Sequence, residues 1–210
     1  MRLEVPESEQ EEDKGCGPAV LQMVLKYYGV DISQEKIIEK HGGLTKWGSY
    51  TVGLGLIAQQ LGFEVTCYSY FLHKMSHKDF DKDKKVLLSS LDEKIEDEED
   101  EYWERELETF KKFIEEGNDI VFDIPRSSEI KSHLREGRPV IIALNSSSLF
   151  ERDIDLDLGH YVVLTGYENG KFLLNDPENR IEEIEEERLI FASSNNVFES
   201  SAYMLIVEDK

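Results

Sequence analysis

The sequence predicts an α+β fold in which N-terminal helices pack on a C-terminal antiparallel sheet. Two observations carry this expectation. Apolar segments of helical length, each followed by glycine, dominate residues 19–62. Shorter runs rich in β-branched and aromatic residues, separated by turn residues, dominate 139–207. Helices first and strands afterwards is the α+β order. The 210 residues suit one domain, 1–210, and are ample for a sizeable core.

The elements follow in order. Ala19 to Tyr28 is apolar except for Gln22 and Lys26; Pro18 lies near its first turn and Gly29 just past its end, so it reads as a nearly buried helix. Ser33 is placed to cap a short helix through Ile37 and Ile38 that stops before Gly42-Gly43. A third helix runs from about Thr51 to Leu61 and ends at Gly62, and the alternation from Phe63 to Tyr70 predicts a strand.

From about 73 to 117 the composition changes: residues 92–108 hold eleven Asp or Glu against Lys94 and Arg105. The expectation is a charged, acidic insertion, either a solvated or partly disordered helical face or a regulatory lid that docks a basic partner. Trp103, Leu107, Phe110, Phe113 and Ile114 recur at helical spacing, so its second half is expected to pack on something. Ser127-Ser128 caps a helix Glu129–Arg135, and Pro139 to Leu144 is an apolar strand buried on both faces. A polar loop from Asn145 to Leu158 leads to a hairpin, Gly159–Tyr167 and Lys171–Asp176, and Ala202–Val207 is the last strand. The acidic run Glu182–Glu187 reads as an exposed helical face.

The bulk charge is 24 − 45 = −21, which excludes a nucleic-acid backbone and an anionic membrane surface as partners. No window approaches the roughly 18 apolar residues of a membrane helix, and the N-terminus lacks a secretion signal, so a cytoplasmic protein with free Cys16 and Cys67 is expected. His41, His73, His77 and His133 lack a ligand pattern, and Asp153, Asp155 and Asp157 lack the EF-hand spacing. No metal or cofactor is expected, and the oligomeric state is left open.

Cys16 begins a strongly predicted helix, where unpaired N–H groups and the helix dipole favour a thiolate, the form a cysteine nucleophile needs. His160 opens a strand after a long loop. A three-residue loop Glu168-Asn169-Gly170 pairs Tyr167 with Lys171 and Val162 with Asp176, leaving His160 and Asp176 diagonal neighbours on one face. A two-residue turn would put them on opposite faces, so a paired His160 and Asp176 requires the longer loop. An imidazole oriented by a carboxylate and brought to a thiolate is the arrangement of a cysteine hydrolase or acyltransferase. Gln10, six residues before Cys16, is a candidate donor to an oxyanion. Gly15, Gly17, Trp47 and Gly159 are candidates for lining a substrate cleft.

Gln10 through Cys16 to Gly29, Gly137 to Ile141, Gly159 to Tyr167 and Asn175-Asp176-Pro177 together resemble the double-glycine (bacteriocin-leader) peptidases and their stand-alone relatives, family thirty-nine of the cysteine class. The resemblance spans both ends of the chain but not the stretch 73–117. It implies a papain-like fold, with Cys16 as nucleophile, His160 as general base, Asp176 as its orienter and Gln10 as oxyanion donor. It also implies a peptide or protein substrate, which the field of the chain would favour if basic. Transporter-linked members continue into membrane helices and cut after Gly-Gly, and that specificity is not carried over. An acyl or peptidyl transferase on the same residues, and a non-catalytic peptide-binding module, are the alternatives.

Overall fold

The computed structural model describes residues 2–46, 48–69, 83–123, 125–150, 159–194 and 204–209. Helix α1 (Cys16–Tyr27) is buried at every position from Gly17 to Leu25, as its nearly unbroken apolar sequence requires. Helix α2 (Gln34–His41) starts at Ser33, whose hydroxyl accepts from the Lys36 N–H at 3.3 Å. It stops at Gly42, which takes the left-handed conformation a side chain would resist. Helix α3 (Thr51–Gln60) is followed by β1 (Glu64–Tyr68).

The acidic stretch forms α4 (Lys84–Glu96) and α5 (Glu101–Glu115), capped by Asp83 and Asp100, each accepting from the N–H two residues on. Their carboxylates lie mainly outside, while Leu87, Leu91, Leu107, Phe110, Phe113 and Ile114 enter the same core as α1 and α3. Gly55 on α3 makes this packing close: a Cβ there would lie 2.8 Å from the Phe113 ring. The early part of the stretch, 73–82, falls outside the described residues.

Next come β2 (Asp119–Val121), α6 (Ser127–Arg135), β3 (Val140–Asn145) and α7 (Ser146–Phe150). The chain then forms β4 (Gly159–Glu168), β5 (Lys171–Asn175), β6 (Glu183–Glu185), α8 (Glu186–Ser194) and β7 (Met204–Glu208). Helix α6 begins earlier than expected. Ser127 and Ser128 lie in its first turn, and the Glu129 carboxylate reaches back to accept from the Arg126 N–H at 3.1 Å. The run 182–187 is not a helical face: it supplies β6 and the first residues of α8. Ile184 is buried between exposed Glu183 and Glu185, which both reach Lys171 (2.6 and 3.3 Å), so the period is two.

Among the described residues seven strands form one sheet in the order β2-β1-β7-β3-β4-β5-β6. All pairs are antiparallel except β1 with β2 at one edge. Strand β1, from the first third of the chain, is held in the sheet through β7. Ile141, Ala143, Tyr161 and Val163 face the core of α1, α3, α4 and α5; Val140, Ile142, Leu144, Val162 and Leu164 face a second core under α6, α7 and α8. The central strands are therefore buried on both faces, with helices above and below.

The β4–β5 hairpin corrects the expected loop. Its turn is the two-residue Asn169-Gly170, with φ of 51° and 83°, and Glu168 pairs with Lys171. That register alone would separate His160 from Asp176. A β-bulge at Thr165 supplies the missing residue: Gly166 pairs with Leu173 but Leu164 pairs with Leu174, and Val163 with Asn175. Val162 therefore falls opposite Asp176 after all. The bulge also turns Tyr167 onto the face of Leu164, where its ring packs on Phe172 at 5.0 Å. The carbonyl of Thr165 is not wasted on the irregularity, because the Leu3 N–H donates to it at 2.7 Å.

Candidate active site

Cys16 is the first residue of α1. A tight turn delivers it: Lys14 has φ 63° and the Gly15 N–H donates to the Glu12 carbonyl at 3.0 Å. No side chain caps the helix and no acidic residue occupies its first turn, so its N-terminal field is not neutralised locally. The thiol is half-buried, whereas Cys67 on β1 is fully buried and burial pushes its thiol well up, holding it protonated. The flanking glycines serve close approach within the chain. A Cβ on Gly15 would lie 2.8 Å from the Glu12 carbonyl oxygen, and one on Gly17 would lie 2.8 Å from Ser49 Cβ.

His160 and Asp176 are both buried, and His160 Nε2 lies 2.7 Å from Asp176 Oδ1. The turn after β5 surrounds the carboxylate with donors: Glu178 N–H reaches Oδ1 and Arg180 N–H reaches Oδ2, both at 3.0 Å. Burial raises a carboxyl, but the His160 hydrogen bond and these N–H groups outweigh it and hold Asp176 below its ordinary value. For His160 burial works downward, yet hydrogen bonds to Asp176 and to Cys16, with the charges of both, lift it to about 9. Asp176 and Cys16 thus both act on the same imidazole. With Nε2 engaged by Asp176, Nδ1 is the nitrogen left for Cys16. Two residues from opposite ends of the chain meet because the N-terminus of α1 lies beside the start of β4.

Gln10 is tied to the residue after Asp176 by a segment that sequence periodicity does not reveal. Residues 2–10 run along β4 and β5: Leu3 bonds Thr165, Val5 carbonyl accepts from Asn175 Nδ2 at 2.9 Å, and Gln10 N–H donates to the Pro177 carbonyl at 2.9 Å. Two buried glutamines fix its far end. Gln34 donates to the Glu9 carbonyl at 2.7 Å and accepts from the Glu11 N–H at 3.1 Å; Gln22 accepts from Ser8 at 2.5 Å and donates to the Ile32 carbonyl at 2.7 Å. The signal for this clamp was present in Gln22, a polar residue on an otherwise buried helix face. Gly159 opens β4 opposite Asn145, and Trp47 lies outside the described residues. Phe150, which sequence reasoning did not single out, packs against the His160 ring with centroids 5.5 Å apart.

Residues 2–204 match the profile of the Peptidase_C39 like family. The chain belongs to that family. No curated protein sequence matches it significantly. Among solved structures, the C39-like chain is similar to a putative C39-like peptidase from Bacillus anthracis, at 15% identity and TM-score 0.59, covering 100% of this chain and 98% of that one. It is also similar to the peptidase domain of Streptococcus ComA, a bi-functional ABC transporter involved in a quorum-sensing pathway, at 17% identity and TM-score 0.52, with 98% and 99% covered. A third is a double-glycine-motif protease from an AMS/PCAT transporter in complex with the leader peptide, at 20% identity and TM-score 0.53, with 100% and 94% covered. At these identities the likeness establishes the fold, which is papain-like. Among the described residues no helix of the C39-like chain is long and apolar enough to cross a membrane.

Proposed function

We propose that this C39-like protein is a cysteine peptidase or amide hydrolase acting on peptides, with Cys16 as nucleophile, His160 as acid and base, Asp176 as the group that orients His160, and Gln10 as oxyanion donor. The observation that carries the reading is the buried His160–Asp176 pair, 2.7 Å apart, with Cys16 close enough to raise the same imidazole. A His160 that holds its proton to about pH 9 keeps an imidazolium beside Cys16 at neutral pH, the neighbour a cysteine nucleophile needs. The thiolate attacks the carbonyl carbon, and the oxyanion that forms accepts a hydrogen bond from the Gln10 amide. His160 gives its proton to the leaving amine as the C–N bond breaks, leaving a thioester on Cys16. His160 then takes a proton from water, whose oxygen attacks the thioester, and the acid is released with the thiolate regenerated.

A peptide is the preferred substrate class because one similar structure holds a leader peptide in complex. A net charge of −21 favours basic peptides, so cleavage of a basic substrate should weaken as ionic strength rises. The decisive measurement is the rate of Cys16 alkylation by limiting iodoacetamide at neutral pH. Cys67 is no control, since burial alone makes it slow. The comparison is with glutathione and with His160→Ala: Cys16 should react faster than the free thiol and lose that advantage in the variant. Equal rates in all three would sink the proposal. A peptide library incubated with and without added amines, read by mass, then separates hydrolysis from transfer.

A further inference from the structure

A hydrogen bond to Asp176 holds Nε2 of His160, but that nitrogen lies nearer the Cβ–Cγ axis than Nδ1 does, so the bond alone limits the swing of Nδ1 only loosely. The structure closes that freedom from the opposite side of the site. Phe150, the last residue of α7, lies against the imidazole with centroids 5.5 Å apart and planes at 55°. The Arg180 guanidinium carbon lies 4.8 Å from the centre of the Phe150 ring. Arg180 also donates its backbone N–H to Asp176 Oδ2, and its Nη1 is paired with Glu178 at 2.8 Å. One residue therefore touches the carboxylate through its backbone and the aromatic wall through its side chain.

Helix α7 is built to hold Phe150 where it is. Five residues are too few for a helix to be stable alone. Asn145 Oδ1 accepts from the Ser148 N–H at 2.8 Å at its start. At its end Arg188 of α8 donates to the Ser148 carbonyl at 3.1 Å and to the Leu149 carbonyl, while Leu149 is buried beneath. The chain entering Phe150 is thus anchored from two elements. An aromatic ring held there interacts favourably with a cationic imidazole, whose bond to Asp176 joins side chains only 6% and 0% exposed.

We propose that Phe150 is a positioning residue for His160, kept on the imidazole by Arg180, so that Nδ1 stays directed at Cys16 while Nε2 stays on Asp176. The proposal rests on the peptidase reading above but fails separately from it. The groups facing the imidazole are Asp176 and Cys16, with Arg180, Glu178 and Arg188 behind them. None of the three behind is asked to exchange a proton.

The test is the pH dependence of Cys16 alkylation in the full chain. Phe150→Ala should slow the reaction at neutral pH by about tenfold and move the acid limb of the rate curve upward, by roughly one pH unit. Phe150→Tyr should restore both. Arg180→Gln keeps the backbone donor to Asp176 and should give a smaller slowing, about threefold, in the same direction. A change in stability without a change in the curve is what a merely structural Phe150 would give. A wild-type curve in both Phe150→Ala and Arg180→Gln, with Cys16 still accelerated and still dependent on His160, overturns the positioning role alone. A wild-type Cys16 no faster than glutathione and indifferent to His160→Ala overturns the peptidase reading itself.

Discussion

Phe113→Ala asks whether the acidic stretch is part of the main core or an appendage to it. Phe113 is fully buried, and its ring occupies the slot that Gly55 leaves on α3, where Val65 of β1 and Leu205 of β7 also converge. Emptying that slot removes packing shared by α3, α5 and two strands that cannot close up independently. Truncations of this kind cost about 3–5 kcal/mol. For a chain of this length each kcal/mol lowers the melting temperature by about 2–4 °C, so the expected drop is about 6–20 °C. Thermal unfolding followed by far-ultraviolet and near-ultraviolet circular dichroism should show one cooperative transition, shifted down in both. Glu101→Gln and Glu108→Gln, on the solvated side of α5, should stay within about 0.5 kcal/mol of the parent. A loss below about 1 kcal/mol for Phe113→Ala, or a separate early transition that leaves the rest folded, would show that α4 and α5 fold apart from the sheet.

Three further outcomes are expected. The pKa of His160 in the fold, about 9, exceeds the roughly 6.5 of an unfolded histidine, so its contribution is full below pH about 6.5 and is lost as pH rises through about 9. Asp176 is held low, so its contribution is present above pH about 3.9 and disappears on acidification through its folded value; His160→Gln should flatten the alkaline limb of a urea-midpoint-against-pH curve, and an unchanged limb would count against the coupling. Gly17→Ala brings a Cβ to 2.8 Å from Ser49 Cβ and should cost about 1–3 kcal/mol in melting experiments while slowing Cys16 alkylation. Glu186 accepts from Lys131 at 2.8 Å through both oxygens, from Tyr167 at 2.5 Å and from Ser127, which holds its carboxyl down at about 2. Glu186→Gln should therefore lower the urea midpoint at neutral pH, with the difference from the parent fading as pH falls from about 4.3 towards 2.

Local chemistry made the first three helices legible, because Gly29, Gly42 and Gly62 all take positive φ at or just beyond their ends. The contact of His160 with Asp176 was legible for an incorrect local reason. Turn chemistry at Asn169-Gly170 favoured the short hairpin, and the compensating bulge at Thr165 depends on tertiary bonding to Leu3. The run 182–187 was misread because carboxylates at consecutive positions mask the alternation around Ile184. The course of residues 2–10 left no periodic trace, since its partners are backbone groups of distant strands and the amides of Gln22 and Gln34. Phe150 was invisible for the same reason: its neighbours, His160 and Arg180, are set by how α7 is pinned rather than by any spacing in the chain.

The place of β7 in the sheet has a consequence for the order of events during synthesis. It lies between β1 and β3 and is the last of the seven strands to be made, so the two parts of the sheet share no edge until residues 204–208 have emerged. His160 itself follows Cys16 by 160 − 16 = 144 positions. At about 5–20 residues per second, the thiol waits roughly 7–30 s before its imidazole even exists. A nascent chain therefore carries Cys16 among exposed α1 side chains well before β4 and the turn after β5, with His160 and Asp176, are made. A break between β6 and β7 would leave α1 and β4 in one piece, packed on each other, while taking away the strand that joins β1 to β3.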